Sequence, residues 1–479
     1  MWLTKLKNSD EKLILYCSIF VLIFSRIIAS LIIPVYDDAY ITYRYAENLS
    51  NGLGLIYNSG ENVLGLTTPI WGLVTAFFSF IGLKLPNSAL ILNIILDGLL
   101  LFLTQKTIFK KQNNAFLLFA IFYSISPMIS RITIGGMEMN LFLIGILSAI
   151  YFYNQDKKVI SIVIASISYF IRPEAVFLVL ALILIEFISG KKANAFYFGL
   201  LSLAIVTPFL IIIYNYYGSF IPQSISSKWG LEKGPMLTSF LDLIGKDILA
   251  NTLFPLALLG AFQKIKENNL VRIYSIFALI FIVIYTLLRV KIWSWYPAPI
   301  IYLQFVLSAF GLSFFINKYS NFKIVQIIGK YQFVLMFVPL VIWGGLKYHY
   351  KQDSVTANIY KPLTDYFQDI KDKEKLSIFA NDIGIIGFAS NSYIFDAEGL
   401  VSPSRKNYKI YSDMIENNNY NYLFLNVNLV NIDLMTNKFN SRYFPIKRFA
   451  KSGDTTLFPD RQSLNNAWSQ DYILYKRKI

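Results

Sequence analysis

The chain has 479 residues, of which 55% are hydrophobic and 16% aromatic, and its mean hydropathy is +0.49. This composition excludes a soluble globular protein of the same length and predicts a polytopic α-helical membrane protein. The net charge of +15 does not indicate a nucleic-acid partner, because lysines collect in the cytoplasmic loops of membrane proteins and set their orientation.

The first apolar segment covers about residues 13–35 and follows three lysines, with no small-residue cleavage site after it. We therefore expect an uncleaved first span with its N-terminus in the cytoplasm. The loop 36–68 begins with Asp37 and Asp38, and its four acids outnumber its single arginine, which predicts an outer location. An ionisable cluster beside a bilayer is a candidate functional site, although an ordinary solvated loop has a similar composition.

The apolar segment 69–83 is short for a membrane crossing. If it crossed, the lysine-bearing loops after it would lie outside, against the positive-inside rule. We therefore predict a juxtamembrane or re-entrant segment within a first outer loop of 36–87. Ten further spans give about eleven in all. They are 88–105, 115–130, 139–154, 159–171, 175–189, 195–214, 247–262, 271–288, 299–316 and 333–346.

Four of the predicted outer connections carry distinctive residues, and the last of them carries cations and aromatics together. They contain Gly136-Met137-Glu138, then Arg172-Pro173-Glu174, then Tyr216 to Lys228, and last Arg289 to Pro297. Aromatic residues at this depth usually form interfacial belts, and basic residues often anchor to lipid headgroups. The cations nevertheless lie on the face where the positive-inside rule predicts few.

From about residue 347 the chain is polar, and we predict a small extracytoplasmic α/β domain over 347–479 beside a membrane module over 1–346. The apolar runs 376–380, 393–396 and 422–427 read as strands, with a turn into a helix between the first two. Asp382 and Asp396 follow or end strands, where carboxylates are usually caps or turn residues.

The stretch from Asp37-Asp38 to Gly65-Leu66-Thr67-Thr68-Pro69 resembles the first outer loop of the GT-C superfamily of membrane glycosyltransferases. The nearest resemblance is to the branch that contains the mycobacterial-type terminal arabinofuranosyltransferases. Glu138 and Arg172-Pro173-Glu174 are similar to further motifs of that family, although Met139 replaces its usual threonine. The resemblance implies a bacterial plasma-membrane enzyme, with a polyprenyl-phosphate sugar as donor and a carboxylate of the Asp37-Asp38 pair as catalytic base.

A sugar phosphate leaves without needing protonation, so the reaction needs one base and cations for the phosphate. We expect an inverting transfer to a glycan or lipid acceptor on the outer face, and either Asp37 or Asp38 as the base. The candidate ligands of the donor phosphate are Arg44, Arg172, Lys228, Arg289 and Lys291. The candidate residues of the substrate cavity are Tyr40, Tyr45, Glu47, Glu138, Glu174, Trp295 and Tyr296.

We predict no cofactor and no metal. Adjacent carboxylates suit a hard divalent cation, but no third acid compels one, and a single histidine and a single cysteine exclude a His- or Cys-rich site. The alternative function is a transporter or flippase of a lipid-linked sugar without transfer activity. Against it, the acids lie in a loop rather than mid-span, and the chain shows no repeated halves.

Overall fold

The structure is a computed structural model that describes residues 8–229, 234–323, 327, 331, 334–349, 355–370, 376–407, 411–416, 418–427, 442–453 and 471–478. The chain forms two compact units. The first unit comprises Met1–Ile33, Leu90–Phe209 and Glu232–Lys351, and the second comprises Pro34–Ala89, Leu210–Leu231 and Gln352–Ile479. The predicted division at residue 347 differs from this one, because the first outer loop belongs to the same unit as the C-terminal segment.

Apolar helices build the first unit. Their bounds are Asn8–Ser30, Asn87–Thr107, Asn113–Ile125, Pro127–Ile134, Met139–Asn154, Lys158–Ile167, Ala175–Ile188, Lys192–Tyr217, Met236–Gly245, Ile248–Thr252, Phe254–Glu267, Asn269–Leu287, Ala298–Lys318 and Val338–His349. Two of these helices, Asn87–Thr107 and Lys192–Tyr217, also have residues in the second unit. Among the described residues, five helices are long and apolar enough to cross a membrane, or six with one bent pair. The chain is therefore a multi-pass membrane protein, and the count of eleven spans stays a prediction.

The predicted span 115–130 falls on two helices rather than one, and its crossing of the membrane stays a prediction. Asn113–Ile125 and Pro127–Ile134 are bent by 67° at Ser126. The Ser126 hydroxyl accepts a hydrogen bond from the backbone N–H of Ile129 and so caps the second helix. Pro127 favours this break, because proline fits the first turn of a helix but not its interior.

Two glycines let a pair of helices in the first unit pack backbone against backbone. A Cβ on Gly260 would lie 1.9 Å from the Leu307 carbonyl oxygen, and one on Gly311 would lie 2.0 Å from that of Leu256. Neither position can carry a side chain without moving the helices Phe254–Glu267 and Ala298–Lys318 apart. Close approach of this kind is how small residues stabilise helix pairs in membranes.

The second unit joins the first outer loop to the C-terminal segment. Its helices include Asp37–Ser50, which we call the acidic helix, and Gly384–Ser390, which we call the Gly384 helix; the two pack against each other. Further α-helices among its described residues are Pro69–Phe80, Gln223–Trp229, Lys361–Gln368 and Tyr411–Glu416. Pro69–Phe80 has 12 residues and falls within the segment predicted to be juxtamembrane or re-entrant.

A five-stranded sheet forms the core of the C-terminal segment. Its strands are β1 (Ser377–Ala380), β2 (Tyr393–Asp396), β3 (Tyr422–Asn426), β4 (Tyr443–Ala450) and β5 (Asp471–Arg477). The order is β2-β1-β3-β5-β4, with β1 parallel to both β2 and β3 and the other pairs antiparallel. The three predicted strands are present, and β4 and β5 are two that the sequence analysis missed.

Candidate active site

Asp37 and Asp38 form the first turn of the acidic helix, where carboxylates are stabilised by the helix dipole. Asp37 is half-buried, and both of its carboxylate oxygens accept hydrogen bonds from backbone N–H groups of the C-terminal segment. Gly384 donates to Oδ2 at 2.9 Å, and Ile385 donates to Oδ1 at 2.8 Å. Two amides therefore fix the orientation of this carboxylate.

Glycine is required at position 384 because the acidic helix packs directly against its backbone. A Cβ at this position would lie 1.8 Å from the Asp37 carbonyl oxygen and 2.7 Å from its Oδ2 atom. Real non-bonded carbons do not approach that closely, so any side chain would displace Asp37. Glycine at 384 and aspartate at 37 form one local arrangement although they are far apart in the sequence.

The surroundings of Asp37 make it an unusually strong base. Burial, the negative charge of Asp382 and, more weakly, that of Asp38 raise the pKa of Asp37 to about 8, against the opposing effect of its two backbone hydrogen bonds. No cation forms a salt bridge with Asp37 in the part of the chain that the structure describes. A carboxylate with such a pKa can take a proton from a bound hydroxyl near neutral pH.

Arg44, a predicted phosphate ligand, is buried and bonded to protein groups. Its Nε donates to the Tyr57 carbonyl at 2.7 Å, its Nη1 to the Gly387 carbonyl at 2.6 Å, and its Nη2 to the Ser392 carbonyl. The guanidinium also lies over the Tyr57 ring, 4.4 Å from its centroid. These contacts favour a structural role, because a phosphate would have to replace carbonyl partners that are themselves buried.

The predicted cavity residues of the acidic helix are mostly core residues. Tyr40 is 2% exposed and packs against Tyr360 and Phe388, with ring centroids 5.2 and 5.5 Å away. The Tyr45 hydroxyl donates to the Val63 carbonyl and accepts from the Gly65 N–H. Glu47 is half-buried, and burial raises its pKa to about 7 against the opposing charge of Arg44.

Segment 210–229 packs on the first outer loop. The Tyr217 hydroxyl donates to the Leu55 carbonyl at 2.6 Å, and the Gln223 N–H donates to the Leu64 carbonyl at 2.6 Å. Lys228, a predicted phosphate ligand, lies in the helix Gln223–Trp229, and its side chain is outside the described part of the structure.

The first unit brings two of the predicted motifs together. Arg172 forms ion pairs with Glu138 and with Glu174, whose Oε1 and Oε2 accept from Nη2 at 2.6 Å and Nε at 3.0 Å. The Tyr285 hydroxyl also donates to Glu174, and the guanidinium lies 5.2 Å from the centroid of the Tyr296 ring. All three charged side chains are buried, so one cation compensates two carboxylates.

The turn 289–297 also belongs to the first unit. Arg289 and Lys291 are exposed, and the Lys291 ammonium lies 4.9 Å from the centroid of the Trp293 ring. The Trp293 and Trp295 rings are stacked, with centroids 5.9 Å apart and planes 8° apart. Exposed cations beside aromatic rings are suited to an anionic amphiphile, and they equally suit lipid headgroups.

The sequence analysis missed a buried ion pair between two membrane helices, Arg26 with Asp97. Arg26 Nε lies 2.7 Å from Asp97 Oδ2, and both side chains are fully buried. The Tyr123 hydroxyl donates to the other Asp97 oxygen, and Ser130 and main-chain carbonyls accept from Arg26. Every charge is satisfied, which indicates a structural crosslink. The signal in the sequence is a single charged residue inside each of two apolar segments, Arg26 in the first and Asp97 in the next span.

No group of three or more histidine, cysteine or acidic side chains in the described ranges is arranged to hold a metal ion. The second unit thus contains Asp37, Asp38, Arg44 and Glu47, with Tyr40, Tyr45 and Lys228. The first unit contains Arg172 with its two glutamates, and the turn with Arg289, Lys291, Trp295 and Tyr296.

No protein-family model matches the chain, and no curated protein matches its sequence. Solved structures do match, and one is ArnT from Cupriavidus metallidurans bound to undecaprenyl phosphate, with a TM-score of 0.62, 10% identity and 98% of each chain covered. The apo state of ArnT from the same organism gives a TM-score of 0.61, 10% identity and 97% of each chain. At this identity the likeness shows the fold, which the two chains share over nearly their whole lengths.

Proposed function

We propose that the chain is a membrane glycosyltransferase that uses a polyprenyl-phosphate sugar as donor. Its fold is that of ArnT, a GT-C glycosyltransferase whose structure was solved with undecaprenyl phosphate bound. The observation that carries the proposal is Asp37, a half-buried carboxylate oriented by two amides and made more basic by its surroundings. A single base of this kind is what transfer from an activated sugar phosphate requires.

The proposed reaction is one displacement with inversion at the anomeric carbon. The acceptor hydroxyl oxygen forms the new bond to the anomeric carbon, while the bond from that carbon to the phosphate oxygen breaks. The hydroxyl proton passes to the Asp37 carboxylate, and the electron pair of the broken bond leaves with the polyprenyl phosphate. The proton is later released to solvent, which restores the base.

Asp37 is the first candidate for the base because two backbone amides orient its carboxylate and its surroundings raise its pKa. Both oxygens of Asp37 accept one amide each, and a carboxylate oxygen has a second lone pair. The acceptor hydroxyl can therefore bond to Asp37 without displacing either amide. Asp38 stays in the test as a second candidate.

The finer features of the proposal come from the sequence resemblance. They are a hexose or a pentofuranose such as arabinose as the sugar, a glycan or lipid as the acceptor, and the outer face of the bacterial plasma membrane as the location. Arg289 and Lys291 are proposed as ligands of the donor phosphate, because their charges are exposed. Arg172 is the weaker candidate, since two carboxylates already engage it.

The experiment that tests the function uses purified protein in liposomes with a panel of radiolabelled polyprenyl-phosphate sugars and membrane extract as acceptor. We expect label to move from one donor into an acceptor fraction, with the anomeric configuration inverted. Movement of intact donor across the bilayer without transfer would contradict the proposal and support the flippase alternative. Heat-denatured protein in the same liposomes is the control.

A further inference from the structure

The turn after β1 brings a second carboxylate to Asp37. Asp382 lies two residues after the end of β1 and two residues before Gly384, whose N–H binds Asp37. The same short turn therefore provides both the amides that orient Asp37 and the like charge that acts on it. Asp382 is absent from the candidate residues proposed from the sequence, because strand-end acids are usually caps.

The sheet holds Asp382 in a defined place. The Tyr472 hydroxyl donates to Asp382 Oδ2 at 2.7 Å, and the Asn426 side-chain amide donates to the same oxygen at 3.4 Å. Asn426 and Tyr472 are directly opposite each other in the β3–β5 register. The two donors thus come from neighbouring strands, and their positions are fixed by backbone pairing rather than by side-chain packing alone.

The location is one where α/β sheets build functional sites. β1 lies between β2 and β3 and is parallel to both, so the chain leaves β1 toward one neighbour and reaches the other later. Functional residues commonly gather at the carboxyl ends of strands at such a switch point. Asp382 follows β1 and Asn426 ends β3 at this edge of the sheet.

The ionisable groups around Asp37 come from every element packed on it. Asp38 lies on its own helix, Tyr57 on the following loop, and Asp382 and Tyr472 on the C-terminal segment. The nearest cation on the acidic helix is Arg44, whose guanidinium is bonded to carbonyl groups. Of these neighbours, Asp382 has the largest charge effect on Asp37.

We propose that Asp382 is a positioning residue for Asp37 in the transfer reaction proposed above. Its negative charge, held by Tyr472 and Asn426, makes Asp37 a stronger acceptor for the proton of the acceptor hydroxyl. The inference rests on the proposed function and extends it by assigning a task to the C-terminal sheet. Asp382 itself takes no proton from the substrate and forms no bond to it.

The test measures kcat/KM against pH for full-length wild type and Asp382→Asn, with the donor and acceptor that the wild type uses. The acid limb of kcat/KM reports the base in the free enzyme. We expect this limb to lie near pH 8 in the wild type and to move to lower pH by on the order of one unit in Asp382→Asn. The plateau should fall less than about tenfold, because the base is still present.

The matched control is Asp365→Asn, which removes an exposed carboxylate from the same unit and should leave the limb unmoved. If Asp382→Asn does not fold, Asp382→Ser replaces it. Serine removes the negative charge and keeps a hydroxyl that can bond to Tyr472, so the limb should move in the same direction.

If the variant folds and the acid limb of kcat/KM stays at the same pH, the inference is overturned, whether or not the melting temperature falls. Asp382 would then be a structural cap. Wild-type transfer together with an unmoved limb overturns only this inference. Absence of transfer by the wild type overturns the proposed function, and this inference with it.

Discussion

Arg44 donates to backbone carbonyls from two parts of the second unit, one in the first outer loop and two in the C-terminal segment. Removing a buried donor leaves its acceptors unsatisfied, and each costs about 1–3 kcal/mol. The side chain also packs on the Tyr57 ring. We therefore expect the loss of Arg44 to lower the stability of this unit more than it weakens substrate binding.

We expect Arg44→Ala to destabilise the protein by at least about 3 kcal/mol and to lower the thermal unfolding midpoint in detergent by several degrees. The control is Lys361→Ala, which removes an exposed cation from the same unit and should change stability by less than about 0.5 kcal/mol. An Arg44 variant of unchanged melting temperature and weakened donor binding would instead support the phosphate-binding role.

The raised pKa of Asp37 predicts a rate that increases with pH. A base that titrates at about 8 is about one-tenth ionised at pH 7, so kcat/KM should rise roughly tenfold between pH 7 and a plateau above pH 9. Lowering the pH protonates the base and removes activity. A pH profile that is flat from pH 6 to 9 would contradict this assignment.

The sequence predicts residues of this site where a motif is local and fails where partners are distant. Asp37 and Asp38 follow from a contiguous stretch at a membrane boundary. Two carbonyl partners of Arg44, those of Gly387 and Ser392, lie more than 300 positions away. The local sequence therefore cannot show that carbonyls rather than phosphate occupy its donors. The sequence analysis treats Asp382 as a strand-end cap, since its neighbour Asp37 is remote in the sequence and does not show there.

The acidic helix and the Gly384 helix meet at a contact that tolerates no side chain. Gly384→Ala would place a methyl group 1.8 Å from the Asp37 carbonyl oxygen. We expect the variant to lose most transfer activity, because Asp37 moves away from the two amides that orient it. Donor binding measured separately should fall much less than the rate.

The control for that variant is Gly199→Ala, since a Cβ at Gly199 meets no atom within 4 Å. Alanine there should keep activity and slightly favour the helix, because glycine is the poorer helix former. Full activity in Gly384→Ala would show that the contact between the two helices does not position the base.

At the level of elements, apolar periodicity predicts most helices and the three strands β1, β2 and β3. It does not predict the 67° bend at Ser126, because a cap and a proline inside an apolar run still look like one span. It also misses β4 and β5, which pair with each other and join the sheet where β5 pairs with β3.

Both the first outer loop and the C-terminal segment are predicted to lie on the outer side of the membrane. In a Cys17→Ala background, single cysteines replace the exposed residues Lys84, Lys110 and Gln368. We expect a membrane-impermeant maleimide on intact cells to label positions 84 and 368, and to label 110 only after permeabilisation. Labelling of 84 and 368 only after permeabilisation, with 110 labelled on intact cells, would show that the segment 69–83 crosses the membrane.

The multi-pass helical character of the chain could be anticipated from composition, and the chain shares its fold with ArnT. The grouping of residues 34–89 with the C-terminal segment could not be anticipated, because composition divides the chain only into apolar and polar stretches. The compact units follow contacts instead, and the first outer loop makes its contacts with the sheet segment.

The most direct test of the account is sugar transfer by Asp37→Asn beside wild type and Asp38→Asn. Asparagine caps a helix about as well as aspartate, so this change removes the base while preserving an acceptor for the Gly384 helix. We predict that Asp37→Asn folds and binds donor but transfers about 10²–10⁴-fold more slowly, and that Asp38→Asn retains substantial activity. Wild-type rates in Asp37→Asn would contradict the assignment of Asp37 as the base.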